Sequence, residues 1–115
     1  MRNLESKLQI SCVGWFRYQY PGELLFSVPN GGLRNKITGR ILKEEGSLSG
    51  VSDLILFAQR GGYGALCIEM KYGKNPQQET QKHFQMKVES NGYKYVICRS
   101  LEEFMVEVTN YLNLR

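Results

Sequence analysis

The 115 residues contain no apolar run near the ~20 residues that a membrane-spanning helix needs. The N-terminus lacks the apolar stretch of a signal peptide. These absences give the expectation of a soluble, cytoplasmic protein. Cysteine is sparse: Cys12, Cys67 and Cys98 are far apart in apolar surroundings, and no CxxC pair exists. That excludes the usual zinc spacing and leads us to expect reduced, buried thiols. The one histidine, His83, has no cysteine or histidine neighbour with which to build a metal cluster, so a surface position is expected for it. Repeats, low-complexity tracts and linkers are also missing, and the length suits one domain over residues 1–115. The net charge of +4 permits an anionic partner without specifying one.

What is present is a stretch of two apolar segments, Val51–Phe57 and Ala65–Lys71, separated by the turn-forming run Gln59-Arg60-Gly61-Gly62-Tyr63-Gly64. The pattern predicts a β-hairpin whose strands are buried on both faces. Three charges interrupt it: Asp53, Glu69 and Lys71. On a strand Glu69 and Lys71 share one face, with Met70 on the other.

Around this hairpin the periodicity places other elements. Leu4, Leu8, Cys12 and Trp15 recur at helical spacing, predicting a helix from residue 2 to about 18, with Glu5 bordering its buried side. Tyr20-Pro21-Gly22 ends it. Leu24–Val28 reads as a short strand, stopped by Pro29-Asn30-Gly31-Gly32. The segment from Leu33 to Glu45 carries Arg34, Lys36, Arg40 and Lys43 with weak helical periodicity, Thr38 standing as a possible cap. With Lys74 it is the expected phosphate-binding surface. Pro76 is expected to open a helix that runs to Asn91 and puts Gln81 on its inner side. Tyr93–Cys98 forms a strand, and Ser100 with Glu103 makes a capping box for a final helix. The order is that of an α/β domain, a mixed sheet flanked by helices.

Two carboxylates brought together by adjacent strands are hard oxygen ligands suited to Mg²⁺ or Mn²⁺. A lysine beside them offsets the charge that develops on a phosphate under attack. The bland alternative is an ion-pair network in an interaction protein.

The set Asp53…Glu69-Met70-Lys71, fifteen residues and then one between its charges, resembles the signature of the PD-(D/E)xK nucleases. The ordered motifs resemble the small VRR-NUC domain over nearly the whole chain. They are Glu5, Pro29-Asn30-Gly31-Gly32, Gly46-x3-Gly50-x2-Asp53-Leu54, Ile68-Glu69-x-Lys71, Gln81 and Gly92-Tyr93. Ser52 stands where the superfamily signature has proline, a change in backbone stiffness that removes no ligand.

The resemblance implies a restriction-endonuclease-like fold and a Mg²⁺- or Mn²⁺-dependent deoxyribonuclease. Its substrate would be branched or structured DNA, as for Holliday-junction resolvases. It implies that Asp53, Glu69 and the Met70 carbonyl bind metal and that Lys71 is the catalytic lysine. Glu5 and Gln81 would flank the site, Gln81 bonding the lysine or a water. Stand-alone members of this kind occur in phages, some as homodimers, which would place this chain in the host cytoplasm if phage-encoded. The competing expectation is a non-catalytic DNA-binding module that keeps the fold.

Overall fold

The computed structural model describes residues 4–29 and 36–115; of residues 36–38 it describes the main chain. Helix α1 spans Leu4–Gln19, strand β1 Leu25–Ser27, helix α2 Lys36–Glu44, strand β2 Leu54–Leu56 and strand β3 Leu66–Met70. Helix α3, Glu79–Ser90, strand β4, Lys94–Cys98, and helix α4, Leu101–Leu112, complete the order. The turn at Asn30-Gly31-Gly32 and residue Arg34 lie outside the described residues.

The four strands form one sheet in the order β1-β2-β3-β4. β1 pairs antiparallel with β2 and β2 antiparallel with β3, and β4 runs parallel to β3. The parallel step requires a crossover, which α3 supplies. This mixed α/β architecture is the one expected from the sequence.

Alternation along the strands divides the sheet into two faces. Leu25, Leu54, Leu56, Leu66, Ile68, Met70, Val96 and Cys98 join Cys12, Phe16, Phe104, Val108 and Tyr111 in one apolar core. Helices α1 and α4 pack together and cover that face. Trp15 meets both Tyr20 and Phe104 edge-on, at ring separations of 5.9 and 6.1 Å. Those geometries suit the aromatic quadrupole. The opposite face carries Phe26, Ile55, Cys67, Glu69 and Tyr95, with α3 packed against β4. The three cysteines are buried and free, as their apolar contexts led us to expect.

Several expected boundaries move. Pro76 lies in coil, and α3 begins three residues later at Glu79 behind Gln78 as N-cap. The main-chain N–H of Gln78 donates to Gln81 Oε1 at 2.7 Å, so capping chemistry, not proline, sets the start. Thr38 lies within α2 instead of capping it. At α4 the Ser100 hydroxyl accepts from Glu103 N–H at 3.1 Å as expected, but Glu103 reaches back to Arg99 N–H at 2.6 Å. The reciprocal bond of the capping box is therefore shifted by one residue.

Candidate active site

The register of β2 on β3 decides where the charges meet. Leu54 pairs with Ile68, so Asp53, immediately before β2, is carried opposite Glu69. Asp53 stays near the strand because its Oδ2 accepts the Met70 N–H at 2.7 Å. Its own carbonyl accepts the Val28 N–H at 2.9 Å, which ties the site to the end of β1. Lys71 continues past β3, its N–H donating to Cys98 O of the parallel neighbour at 3.0 Å. Glu69 is 1% exposed and Lys71 5% exposed, both inside the sheet layer.

Burying an ionised carboxylate is costly unless it is paired. Glu69 is incompletely paired. Its Oε2 accepts from Gln81 Nε2 at 2.9 Å and lies 3.9 Å from Lys71 Nζ. Its Oε1 is buried with no hydrogen-bond partner. The Glu69 carboxyl is raised to about 8, most of all by burial and then by the neighbouring charge of Asp53. Lys71 opposes that rise, and Glu5 of α1 adds to it. Two carboxylates that face one another offer acceptors only, until a proton or a cation lies between them. The donor set, hard oxygens with one buried oxygen unsatisfied, therefore fits a small divalent cation. Among the described residues no cluster of three or more His, Cys, Asp or Glu side chains has metal-binding geometry, so substrate or water would fill the remaining positions.

Gln81 is oriented by the N-terminus of α3. Its Oε1 is committed to the Gln78 N–H, which turns Nε2 towards Glu69. Of the two expected partners, the lysine and a water, Lys71 is met only indirectly: the Gln81 amide donates to Glu69 Oε2, which lies 3.9 Å from Lys71 Nζ. The height of α3 above this point depends on Gly50, whose φ of +87° favours glycine. A side chain there would collide with the Thr80 carbonyl, so the loop before Asp53 sits directly against the first turn of α3.

The pair opens on a groove of about 1250 Å³. Asp53, Glu69 and Gln81 line it, with Glu5, Gln9 and Arg17 along α1 and Leu25–Pro29 at the sheet edge. Over residues 3–102 the chain matches the VRR-NUC domain. The chain belongs to the VRR-NUC family. VRR-NUC domains are nuclease-fold, DNA-processing modules, generally nucleases, and the fold usually works with divalent metals. A solved structure described as a VRR_NUC domain protein superposes with a TM-score of 0.81 at 22% identity. That likeness covers 99% of this chain and 93% of the other, and it establishes the fold. No curated protein matches the chain.

In this VRR-NUC domain Asp53, Glu69, Gln81 and Glu5 converge. Met70 contributes its main chain, since its side chain is fully buried in the core on the other face. Lys71 Nζ lies 3.9 Å from Glu69 Oε2, and Lys71 is absent from the groove lining. The expected phosphate-binding surface is only partly in place. Arg40, Lys43 and Lys74 are exposed, but none lines the groove, and the Lys36 side chain lies outside the described residues. Arg17, in the last turn of α1, does line it. Its signal in the sequence was helical spacing: Ser6, Gln9, Val13 and Arg17 lie on neighbouring turns of one side. His83 is exposed, as expected.

Proposed function

We propose that this VRR-NUC domain is a divalent-metal-dependent endodeoxyribonuclease that hydrolyses phosphodiester bonds in branched or structured DNA. The observation that carries the reading is the Asp53–Glu69 pair on the wall of the groove, Asp53 half-buried and Glu69 fully buried with its Oε1 unpartnered.

Asp53 and Glu69 would hold Mg²⁺ or Mn²⁺, with the Met70 carbonyl as a further oxygen ligand. Such an ion supplies Lewis acidity and a water of lowered pKa at the scissile phosphate. The chain's own groups do the rest. Gln81 holds one oxygen of the Glu69 carboxylate and leaves the other without a partner. Lys71 contributes positive charge beside the pair and offsets the negative charge that grows on the phosphate during attack. Glu5 borders the opening of the site from α1. Arg17, and outside the groove Arg40, Lys43 and Lys74, make phosphate contacts that orient the nucleic acid. A homodimer would present two such sites to opposing strands.

The experiment is calorimetric titration of Mn²⁺ and Mg²⁺ into the protein, paired with cleavage assays on single-stranded, duplex, flap and four-way DNA. The expected result is binding that Asp53→Asn weakens and cleavage that needs the ion. Absence of both binding and cleavage would favour a purely structural ion-pair network.

A further inference from the structure

Helix α3 packs against β4, at one edge of the sheet, and among the described residues no helix packs closely on the same face of β1 and β2. Leu24, Phe26, Ile55 and Phe57 alternate onto that face. Leu24 is 56%, Phe26 37% and Phe57 62% exposed, high values for apolar side chains standing on a sheet. The two phenylalanines meet edge-to-face, with ring centroids 6.2 Å apart and planes at 78°. This geometry braces the Phe26 ring from one side and leaves it open to solvent. Phe26 also lines the groove that contains Asp53 and Glu69, and it shares the Glu69 face of the sheet. Two strand spacings and one pleat repeat put it about 12 Å from Glu69, a few nucleotides from a phosphate held at the acid pair.

An exposed apolar face of this kind marks a binding surface. Its occupant follows from continuity. Any molecule seated on Phe26 lies in the groove that leads to the carboxylates. A second copy of this chain placed there would close that groove and exclude the substrate from Asp53 and Glu69. A strand of nucleic acid lying along the groove meets both. A base paired inside a duplex cannot present its face to a side chain, whereas an unpaired base stacks on an aromatic ring regardless of sequence.

We infer that Phe26, braced by Phe57, is a stacking platform for an unpaired base of the strand being cut, and that the groove therefore selects DNA with a single-stranded segment beside the scissile bond. This inference rests on the nuclease reading above. It adds the substrate feature that reading leaves open, with Arg17 on the α1 wall as the phosphate contact further along the same path.

The test compares wild type, Phe26→Ala, Phe26→Trp and Arg17→Ala on a flap or splayed-arm substrate and on a fully paired duplex of the same sequence, with Mn²⁺ as the metal. Circular dichroism and sedimentation of each variant report fold and oligomeric state. Phe26→Ala should raise KM on the splayed substrate about tenfold, the scale of one base–aromatic stack. It should leave cleavage of the duplex unchanged, and Phe26→Trp should restore the splayed-substrate KM. A 2-aminopurine base near the scissile position should be quenched by wild type and by Phe26→Trp, and less by Phe26→Ala. Equal losses on both substrates, no loss on either, or a dimer that falls apart in Phe26→Ala would overturn the inference. Those results leave the nuclease reading standing, since wild-type cleavage reports on it separately. Inactivity of the wild type on every substrate would instead remove the reading on which the inference rests.

Discussion

Replacing Glu69 with glutamine should stabilise the metal-free protein, and by an amount that depends on pH. The Glu69 carboxyl is raised from 4.5 to about 8 in the fold, first by burial and then by Asp53. Between those values the native state holds a proton that the unfolded chain has released. Stability therefore falls as pH rises through that interval, by ~1.4 kcal/mol per pH unit. The accumulated loss is about 1 kcal/mol at pH 5, ~3 kcal/mol at pH 7 and approaches ~5 kcal/mol above pH 8. A glutamine of the same shape keeps the acceptor for Gln81 Nε2 and turns an amide towards Asp53, imitating the protonated acid. Urea denaturation of both proteins in EDTA at pH 5, 7 and 9 measures the difference, and other titrating groups cancel in the comparison. Glu69→Gln should gain little at pH 5 and several kcal/mol at pH 9. A gap between the two proteins that stays constant with pH would refute the account of the buried Glu69 carboxyl. Saturating Mn²⁺ should recover stability in wild type, because a ligand that binds only the folded state adds RT ln(1 + [L]/Kd).

Other consequences are shorter to state. Gln81→Ala should lower metal affinity or cleavage by ~10- to 100-fold while leaving the fold intact, the usual effect of losing a group that orients a ligand; calorimetry with Mn²⁺ measures the first directly. Gly50→Ala should cost at least ~1–3 kcal/mol, because its positive φ and the Thr80 carbonyl both oppose a side chain, and thermal melting reads the loss. Lys71→Ala should abolish cleavage while sparing DNA binding, since the ammonium sits beside Glu69 and Lys71 does not line the groove, as gel-shift and cleavage assays on one substrate would report. Ser100→Ala should destabilise the protein by ~1 kcal/mol through loss of the α4 cap, without altering cleavage; urea denaturation and the cleavage assay read the two halves.

Much of this arrangement is legible in the chain because it depends on period and register. The hairpin of β2 and β3 carries its turn chemistry between two apolar runs, so Asp53 and Glu69 fall opposite one another without any knowledge of the rest. The helical stripe of α1 marks Glu5 on the border of its buried side, and α3 turns Gln81 inward for the same reason. The main departures arise where a side chain chooses among several partners. Gln81 bonds Glu69 instead of Lys71 because of a main-chain donor at Gln78, which no periodicity encodes. Pro76 looks like a helix start but lies in coil, where capping by Gln78 and Gln81 prevails. Basic residues cluster in the sequence around the α2 segment. The groove instead takes Arg17, isolated in sequence and placed by the rotation of α1. The exposure of Phe26 and Phe57 among the described residues follows from α3 packing on β4, a property of packing between distant elements.

The central claim is that the Asp53–Glu69 pair is a metal-dependent nuclease site. Its most direct test is strand cleavage of structured DNA by wild type and by the Asp53→Asn, Glu69→Gln double variant, each with Mn²⁺, with Mg²⁺ and with EDTA. The account predicts cleavage by wild type only when metal is present, and none by a double variant whose circular dichroism and melting show a folded protein. Cleavage by the folded double variant at the wild-type rate would contradict it.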